Sequence, residues 1–300
     1  MSKKEEDEVA GVRLTHPDRV LYPDQGLTKR ELATYLAGVA KHMLPFAARH
    51  PLSLVRCPDG IDGKCFFQKH LSASMPKSFK TVSIRERDGD RADYLYVEDV
   101  AGIVAAAQIG ALELHVWGAA NDDLEHPDRL VFDLDPDESV SFAEVKAAAG
   151  DLRAVLKAGD LESFAMITGG KGIHVIVPLA RRNDWEEVKT FAAGLARSFA
   201  ERDPDRFIAT ASKAKRKGRI FIDWLRNERG ATAILPYSPR ARKGAPVAVP
   251  VGWNELSRLK SAAAFDTAAV LKRLKGGKGD PWPGYRKRQH LGKATIAAVA

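Results

Sequence analysis

The sequence predicts an α+β fold in which mixed or antiparallel sheets are flanked by helices. Short apolar runs rich in Val, Ile, Leu and Phe alternate with turn-forming Gly, Pro and Asp, which is typical of strands. Longer segments repeat their apolar residues at helical spacing instead. The chain has 300 residues, 45% of them hydrophobic, and is long enough to bury a full core. We expect one compact catalytic unit.

The N-terminal part predicts a helix packed on a sheet. Residues 1–10 are highly charged, and we expect them to form a disordered leader. Thr28 is the predicted N-cap of the helix, because Glu31 completes a capping box and apolar residues then recur at helical spacing to about Phe46. Strands are predicted for LSLVR, KCFFQ, TVSI and YLYV, at 52–56, 64–68, 81–84 and 94–97.

The part from Asp99 onwards predicts strands that alternate with longer helices. The predicted helices are DVAGIVAAAQIGA, 141–158 and about 184–202, and the predicted strands are LELHVW, RLVFDLD, the two halves of FAMITGGKGIHVIVPL, RIFIDW and TAILPY. Two short helices and the basic stretch KRLKGGKGDPWPGYRKRQH follow Pro250, and that stretch is open to interpretation as a linker or a docking arm. We therefore predict a catalytic domain at 11–260 and a helical, basic tail or linker at 261–300.

Charge and cysteine content narrow the class of protein. The chain carries 47 Lys and Arg against 39 Asp and Glu, a net charge of +8, which favours a polyanionic partner. Cys57 and Cys65 have no second pair to complete a structural zinc site, so we interpret them as two reduced thiols. The absence of an apolar signal segment and of a long apolar run favours a cytoplasmic protein and supports neither export nor membrane insertion.

The most informative segment for chemistry is RLVFDLDP. Because side chains alternate along a strand, Asp133 and Asp135 lie on one face, and Phe132 and Leu134 lie on the other. Two neighbouring carboxylates repel each other unless a cation lies between them, so the pair indicates a divalent metal site. The alternative for this segment alone is two solvated acids at a strand end before Pro136.

A third carboxylate ends the predicted strand RIFIDW. The apolar run 220–222 favours a buried strand, and a buried acid such as Asp223 needs a partner. If this strand lies beside the strand of Asp133 and Asp135, three carboxylates converge on a pair of Mg²⁺ or Mn²⁺ ions. Such a pair activates an attacking hydroxyl and stabilises a leaving pyrophosphate.

The segment MITGGKGIHVIVPL offers groups that bind a triphosphate. Its glycines permit close backbone approach, and Thr168, Lys171 and His174 add a hydroxyl, a cation and an imidazole. It is not a Walker motif, because Gly172 follows Lys171 in place of Ser or Thr and the segment joins two strands. A tight hairpin turn with an incidental lysine is the alternative.

The segments DLD, TGGKGIH and IDW, in this order and spacing, resemble the three motifs of the archaeo-eukaryotic primase superfamily. In particular, they resemble the polymerase domain of bacterial ATP-dependent DNA ligase D, and the likeness continues through LTHPDRVLYPDQGLTK, CFFQKH, LELHVW and LPYSPRAR, over about residues 12–260. The resemblance implies a primase-polymerase-like catalytic core that extends DNA ends on a template and fills gaps in double-strand-break repair by non-homologous end joining. It also implies a two-metal mechanism, activity favoured by Mn²⁺ and a preference for ribonucleotides.

The same resemblance implies roles for individual residues. The implied metal ligands are Asp133, Asp135 and Asp223, and the implied nucleotide contacts are His115, Thr168, Lys171, His174 and Arg240. The implied DNA contacts are Arg19 and Lys29, at the 5′-phosphate on the far side of a gap, and Phe66 and Phe67, at the templating base. For the two phenylalanines, we expect one of the rings to lie in the core.

Two residues depart from the family pattern. Thr168 stands where the family usually has serine, which adds a methyl group beside the phosphates. Arg19 stands where better-known members have lysine, which keeps the charge and changes its geometry. The basic run SKAKRKGR at 212–219 leads into the Asp223 strand and is interpreted either as a solvated face or as a cover for DNA backbone or triphosphate.

The implied partners are DNA with recessed or gapped ends bearing a 5′-phosphate, nucleoside triphosphates, a Ku-type end-binding protein and a ligase domain, with the nucleoid as the place of action. Two other functions are open: a two-metal nuclease or phosphatase acting on DNA ends, and a catalytically inactive DNA-end-binding module. The glycine turn with Lys171 argues against the first, and the three intact acids argue against the second. A free-standing protein and a domain of a longer ligase are both compatible with the sequence.

Overall fold

The computed structural model describes residues 7–72, 75–86, 88–277 and 279–299. Its strands are β1 (Glu8–Val9), β2 (Val12–Arg13), β3 (Val20–Tyr22), β4 (Leu27–Thr28), β5 (Leu52–Arg56), β6 (Phe66–Gln68), β7 (Lys80–Arg85), β8 (Arg91–Tyr96), β9 (Ala111–Trp117), β10 (Arg129–Pro136), β11 (Phe164–Ile167), β12 (Ile173–Pro178), β13 (Phe207–Ile208), β14 (Ile220–Asp223), β15 (Thr232–Ile234) and β16 (Val249–Val251). Its helices are α1 (Lys29–Ala47), α2 (Val100–Gln108), α3 (Phe142–Ala158), α4 (Trp185–Arg202), α5 (Trp253–Leu256), α6 (Thr267–Lys275) and α7 (Lys293–Ala297). This mixture of helices and largely antiparallel sheets confirms the predicted α+β class.

Two compact units share these elements. Unit 1 consists of Met1–Asp122, Ile234–Ala248 and Phe265–Gly277, and unit 2 consists of Asp123–Ala233, Val249–Ala264 and Lys278–Ala300. The chain therefore folds around two main sheets, where the sequence led us to expect one compact unit. The functional division into a leader, a catalytic domain and a tail stays a prediction.

Unit 1 is built on strands β9, β5 and β6, in that spatial order, and on the packed helices α1 and α2. Strand β5 pairs antiparallel with both β6 and β9. Helix α1 begins as predicted: the side chain of Thr28 accepts from the backbone N–H of Glu31, and the side chain of Glu31 accepts from the backbone N–H of Thr28. Its buried face includes Leu32, Leu36 and Met43, as helical spacing predicts.

Unit 2 is built on a six-stranded sheet in the order β13-β14-β10-β12-β11-β16. Neighbouring strands run antiparallel, except that β13 and β14 are parallel. Helix α3 packs against β10 and β12, and helix α4 packs against β10 and β13. Along β10, Phe132 and Leu134 are completely buried, whereas Asp133 is half-buried and Asp135 is exposed. The alternation predicted for this strand is therefore present, and it leaves a polar face for a site.

The two cysteines form a disulfide, so the interpretation as two reduced thiols is wrong. Strands β5 and β6 pair with Arg56 opposite Phe66, and each cysteine lies one residue beyond that pair. The antiparallel register therefore brings Cys57 and Cys65 opposite each other, at a Cα–Cα distance of 4.3 Å. The pairing of the two predicted strands as a hairpin is therefore what brings the two cysteines together.

Described residues near both ends of the chain take part in the fold. Residues 1–6 of the predicted leader lie outside the described residues, but Glu8–Val9 pairs with Val12–Arg13. In the basic stretch left open as a linker or a docking arm, Trp282 is 2% exposed and donates its indole N–H to the carbonyl oxygen of Ala165. That part of the stretch is packed into unit 2. Among the described residues, no helix has the length and apolarity needed to cross a membrane.

Candidate active site

Unit 2 places the three predicted acids on one face of its sheet. Strands β10 and β14 pair so that Asp133 lies opposite Asp223 and Asp135 lies opposite Phe221. Residues that pair directly across antiparallel strands share a face, and Asp133 and Asp135 share a face by alternation. The strand of Asp223 therefore lies beside the strand of Asp133 and Asp135, which is the condition for the three carboxylates to converge. We call Asp133, Asp135 and Asp223 the acidic cluster.

Two arginines supply the counter-charge of the acidic cluster. Nη2 of Arg226 lies 3.1 Å from Oδ2 of Asp223, and Nε of the same side chain lies 3.6 Å from Oδ2 of Asp133. Nη1 of Arg216 lies 2.7 Å from Oδ2 of Asp135. One arginine precedes β14 and the other follows it, so the segment that supplies Asp223 also supplies both counter-charges.

The acids carry an electrostatic cost that a cation relieves. Asp223 is only 8% exposed; burial raises its pKa, the charge of Arg226 lowers it, and the charge of Asp133 raises it again, with a net rise. Burial and the charge of Asp133 also raise the pKa of Asp135, against the opposite effect of Arg216. A raised carboxyl pKa means that the charged form is disfavoured at this position. The cluster therefore favours a nearby positive charge.

The glycine turn between β11 and β12 lies beside the acidic cluster. His174 pairs with Asp133 across β12 and β10, and its Nε2 lies 3.4 Å from Oδ1 of Asp133. Gly172 has to be glycine, because a Cβ there would collide with the carbonyl oxygen of Leu134 on β10. The hydroxyl of Thr168 closes the turn by donating to the carbonyl oxygen of Gly172 at 3.0 Å. The turn thus holds Thr168 and His174 next to the acids.

Lys171 lies at the tip of this turn and extends into solvent. Its Nζ lies 2.9 Å from Oε1 of Glu138, and the two side chains are 50% and 89% exposed. Ion pairs between side chains as exposed as these contribute little to stability. Glu138 is therefore a weak competitor for a phosphate that approaches Lys171.

Unit 1 groups His115 and Arg240 around Glu113, a buried acid that the sequence analysis did not single out. Nε2 of His115 lies 2.8 Å from Oε2 of Glu113, and Nε of Arg240 lies 3.0 Å from Oε1. The backbone N–H of Ala241 donates to the same Oε1 at 2.9 Å. Burial raises the pKa of Glu113, but the hydrogen bond from His115 and the charge of Arg240 outweigh burial and lower it to about 2. This carboxylate therefore stays ionised and fixes both side chains.

Phe67 lies on the same face of the unit 1 sheet as His115. Phe67 pairs with Val55, and Val55 pairs with Glu113, so these three residues share a face. His115 lies two residues after Glu113 on β9 and therefore lies on that face as well. The rings of Phe67 and His115 are 6.4 Å apart, centre to centre, in an edge-on arrangement. Phe67 thus adds an aromatic surface beside the group of His115, Glu113 and Arg240.

Phe66 faces the other side of the same sheet. The guanidinium carbon of Arg56 lies 5.4 Å from the centre of its ring. Phe66 and Phe67 are 40% and 74% exposed, so the expectation that one ring lies in the core is wrong. The reason is that β6 is the edge strand of the sheet β15-β9-β5-β6, and neither of its rings becomes covered.

Lys29 in the first turn of α1 is buried, in contrast to an ordinary surface lysine. It is 5% exposed, and its Nζ donates to the carbonyl oxygens of Thr15 at 2.8 Å and Gln108 at 3.1 Å. Burial lowers its pKa, and the positive charges of Arg19 and Arg56 lower it further. Three cations therefore act on one another here, and we call Arg19, Lys29 and Arg56 the basic pocket.

The two arginines of the basic pocket are held mainly by neutral oxygens. Nη1 of Arg19 donates to the carbonyl oxygen of Pro58 at 2.9 Å and lies 3.0 Å from the exposed carboxylate of Asp59. Nε of Arg56 donates to the carbonyl oxygen of Ile109 at 2.9 Å, and its Nη1 donates to the side chain of Gln68. Among the described residues, Lys29 and Arg56 contact no carboxylate, so the pocket keeps a net positive charge.

Comparison with known proteins decides the family. The family model "LigD, primase-polymerase domain" matches residues 28–282. The chain belongs to the LigD primase-polymerase domain family. The multifunctional non-homologous end joining protein LigD of Pseudomonas aeruginosa is 40% identical over 288 residues, which are 95% of this chain and 34% of that protein. LigD of Mycolicibacterium smegmatis is 36% identical over 248 residues, 82% of this chain and 32% of that protein. The chain thus spans about a third of the length of these curated relatives.

A solved structure extends the LigD likeness to the fold. The polymerase domain of Mycobacterium tuberculosis ligase D, in complex with DNA, superposes with a TM-score of 0.82 and 33% identity, over 90% of this chain and 96% of that chain. The predicted primase-polymerase-like core is therefore confirmed. The LigD primase-polymerase domain is a nucleotidyltransferase of the archaeo-eukaryotic primase type, and a polymerase-type domain implies the use of a divalent metal.

Four residues of this LigD-family chain lie beside predicted site residues of their own unit, two in each unit, although no role was predicted for them individually. They are Arg56, Glu113, Arg216 and Arg226. Glu113 interrupts the apolar strand LELHVW as Asp223 interrupts RIFIDW, so the rule that identified Asp223 also identifies Glu113. Arg216 lies in the basic run at 212–219, but its pairing with Asp135, like the positions of Arg56 and Arg226, depends on which acid or lysine the fold places beside it.

Proposed function

We propose that this LigD-family chain adds nucleotides to DNA ends on a template and fills gaps during non-homologous end joining. The observation that carries the proposal is the pairing of Asp133 with Asp223 across β10 and β14, with Asp135 on the same face. The three carboxylates lie beside a turn that offers a hydroxyl, an imidazole and a cation. This arrangement suits the attack of a 3′-hydroxyl on the α-phosphate of a nucleoside triphosphate, with pyrophosphate as the leaving group.

We assign Asp133, Asp135 and Asp223 as the ligands of two divalent ions, Mn²⁺ or Mg²⁺. The donor set fits such ions, because hard divalent cations prefer carboxylate oxygens and the burial of Asp223 calls for a compensating charge. In the structure Arg226 bridges two of the acids, and no three His, Cys, Asp or Glu side chains of the described residues are placed to hold an ion. Bound divalent ions supply polarisation of the attacking hydroxyl and stabilisation of the leaving pyrophosphate.

We propose that the glycine turn binds the triphosphate of the incoming nucleotide. Thr168 and His174 are held beside the acidic cluster, and the Lys171 ammonium lies on an exposed tip where Glu138 competes only weakly. Arg226 is 39% exposed and lies against Asp133 and Asp223, so its guanidinium is a further candidate for phosphate contact. In unit 2, the acids would then hold the metal ions at the phosphate that reacts, and the cations would contact the phosphates that leave as pyrophosphate.

In unit 1, we propose that His115 and Arg240 contact the nucleotide and that Glu113 positions them. A buried carboxylate that accepts from His115 and from the backbone N–H of Ala241, and that forms an ion pair with Arg240, leaves little freedom to either side chain. Because the two side chains are already fixed, they lose little conformational entropy when the nucleotide binds. We also propose a preference for ribonucleotides, which the sequence resemblance supports. The assay below measures it by comparing ribonucleotides with deoxyribonucleotides.

We propose that the basic pocket binds the 5′-phosphate of a gapped or recessed DNA end. Lys29 lies in the first turn of α1, where the positive end of the helix dipole favours an anion. A cation there is locally disfavoured, and the lowered pKa of Lys29 reflects its burial beside Arg19 and Arg56. A 5′-phosphate, with a charge of about −1.5 to −2, offsets much of this positive charge. The exposed rings of Phe66 and Phe67 are proposed to stack on unpaired template bases.

Partners beyond DNA and nucleoside triphosphates are proposed from the relatives alone. The P. aeruginosa relative is named a multifunctional non-homologous end joining protein. A Ku-type end-binding protein and a ligase domain are therefore proposed as partners, and the nucleoid in the cytoplasm as the place of action.

One assay distinguishes the proposed function from its two alternatives. A recessed, 5′-phosphorylated duplex is incubated with the protein, Mn²⁺ and labelled ribonucleotides or deoxyribonucleotides. Extension that follows the template sequence supports the polymerase, with faster addition of ribonucleotides. Shortening of the duplex indicates a nuclease, loss of the terminal phosphate indicates a phosphatase, and binding without any change indicates an inactive end-binding module.

A further inference from the structure

A basic groove runs along the exposed side of helix α3 in unit 2, and no residue of the acidic cluster lines it. Lys146, Arg153 and Lys157 on α3 form one wall, and Trp253 at the start of α5 contributes to the other. Between them, the helix presents small residues such as Gly150, where an added Cβ meets no other atom. The groove therefore combines positive charge, an aromatic ring and room for close approach.

The three cations of α3 form a row. At about 100° and 1.5 Å per residue, Lys146, Arg153 and Lys157 fall within an arc of roughly 40° and span roughly 16 Å along the helix. Arg153 and Lys157 are four residues apart, a spacing at which like charges destabilise a helix. Lys157 lies in the last turn, where the helix dipole favours a cation, whereas Lys146 and Arg153 lie too far from that end to gain from it.

Among the described residues, none of these three cations forms an ion pair with a carboxylate. Nζ of Lys146 donates to the carbonyl oxygens of Ser257 and Leu259, and the guanidinium carbon of Arg153 lies 4.8 Å from the centre of the Trp253 ring. The acids of α3 are engaged elsewhere, Glu144 in the capping box with Ser141 and Asp151 with Arg206. Two further exposed cations, Arg258 and Lys260, follow α5.

We propose that this groove binds single-stranded nucleic acid. The row spreads its three cations over roughly 16 Å, so they can contact successive phosphates along one nucleic-acid strand. The indole N–H of Trp253 donates to the carbonyl oxygen of Ser163 at 2.8 Å, which fixes the ring, and Arg153 lies over that ring. Unpaired bases stack on rings and guanidinium planes of this kind. An acidic protein segment makes no use of such a stack, so nucleic acid is the favoured occupant.

The test uses the full chain and a fluorescent twelve-nucleotide oligo(dT), without divalent metal or nucleotide. The variant Arg153→Gln/Lys157→Gln should weaken binding at least about fivefold. It should also lower the slope of log affinity against log salt by about 1.4, because each lost phosphate contact on a single strand removes about 0.7. The control Arg182→Gln/Arg197→Gln removes two exposed arginines of the same unit and should change the affinity less than about twofold.

Two further measurements locate the oligonucleotide and check the fold. In the wild type, oligo(dT) should slow amide hydrogen exchange within α3, and this protection should be lost in the double variant. Extension of a gapped duplex by the double variant should stay at the wild-type rate, which shows that the variant is folded. The proposal is overturned by unchanged affinity and salt slope in the double variant, by equal losses in variant and control, or by a poly-glutamate peptide protecting α3 where oligo(dT) does not.

Discussion

The acidic cluster of unit 2 and the basic pocket of unit 1 each hold like charges together, but they do so with different partners. In the acidic cluster, the counter-charges are the side chains of Arg216 and Arg226. In the basic pocket, Lys29 is held by two backbone carbonyl oxygens. An ion pair at a partly open site exchanges one cation for another, whereas a backbone carbonyl stays in place.

This difference indicates how each region works. The acidic cluster can release its arginines and take up other cations, which suits a site whose ligands arrive with each reaction cycle. The basic pocket keeps its cations in fixed positions and lacks only an anion. We therefore expect substitutions in the acidic cluster to remove catalysis with little effect on binding, and substitutions in the basic pocket to remove end recognition with little effect on catalysis.

The largest effect is expected from Asp135→Ala. Loss of one metal-binding carboxylate should reduce nucleotide addition by at least about 10³-fold, equivalent to roughly 4 kcal/mol of transition-state stabilisation. Binding of a recessed duplex should persist or tighten, because a negative charge is removed. Asp151→Asn, which alters an exposed acid paired with Arg206 in the same unit, is the control and should extend DNA normally. Near wild-type extension by Asp135→Ala would sink the assignment of the acidic cluster.

A smaller but still large effect is expected from Glu113→Gln, because Glu113 is a buried acid with a pKa of about 2. Its folded pKa lies below its unfolded value, so its contribution to stability is complete above about pH 4.5 and is lost as the pH falls towards 2. At neutral pH the variant should lose about 3 kcal/mol in the free energy of unfolding, and this difference should shrink through that acid range.

Chemical denaturation of both proteins at pH 7, 4 and 3 measures this difference. Glu98→Gln, an exposed acid of the same unit, is the control and should leave the curves unchanged. A deficit of Glu113→Gln that does not vary with pH contradicts the role of the ionised carboxylate. If Glu113 positions the nucleotide contacts, the variant should also raise the nucleotide KM more than it lowers kcat.

Lys29→Ala tests the basic pocket. The wild type should prefer a gapped DNA with a 5′-phosphate over one with a 5′-hydroxyl by about tenfold or more, equivalent to roughly 1.4 kcal/mol. The variant should lose most of that preference and keep its affinity for the hydroxyl end, measured at one fixed salt concentration. Lys41→Ala on the exposed side of the same helix is the matched control. Equal weakening on both DNAs would make Lys29 a general backbone contact.

Lys171→Ala and Glu138→Gln together test the glycine turn through the nucleotide KM. Losing a charge-assisted phosphate contact costs about 1.5 to 3 kcal/mol, so Lys171→Ala should raise the nucleotide KM about tenfold or more. Glu138→Gln removes the weak competitor for Lys171 and should leave KM unchanged or slightly lower. Steady-state kinetics with unchanged KM in Lys171→Ala would reduce this lysine to an incidental turn residue.

Local sequence rules predicted the elements that carry the acidic cluster, and they did so for physical reasons. Alternation along RLVFDLDP placed Asp133 and Asp135 together, and burial of Asp223 followed from the apolar run before it. The capping box at Thr28 fixed the start of α1 and therefore the position of Lys29. These features depend on residues close in sequence.

The features that the sequence did not reveal depend on tertiary placement. Phe66 and Phe67 are both exposed because β6 is an edge strand, a property of strand order. Arg56 belongs to the basic pocket, and Arg226 lies beside the acidic cluster, because the fold brings each to charged residues that sequence spacing alone does not connect to it. The disulfide between Cys57 and Cys65 likewise follows from the register of β5 and β6.

Direct binding of Mn²⁺ tests the account of the acidic cluster most directly. Electron paramagnetic resonance of free Mn²⁺ counts the ions bound by the protein in the presence of a nonhydrolysable nucleoside triphosphate. The account predicts about two bound ions in the wild type and in Asp151→Asn, and loss of both in Asp133→Asn/Asp223→Asn, with circular dichroism showing an unchanged fold. Wild-type binding by the double variant would contradict the assignment of Asp133 and Asp223 as metal ligands.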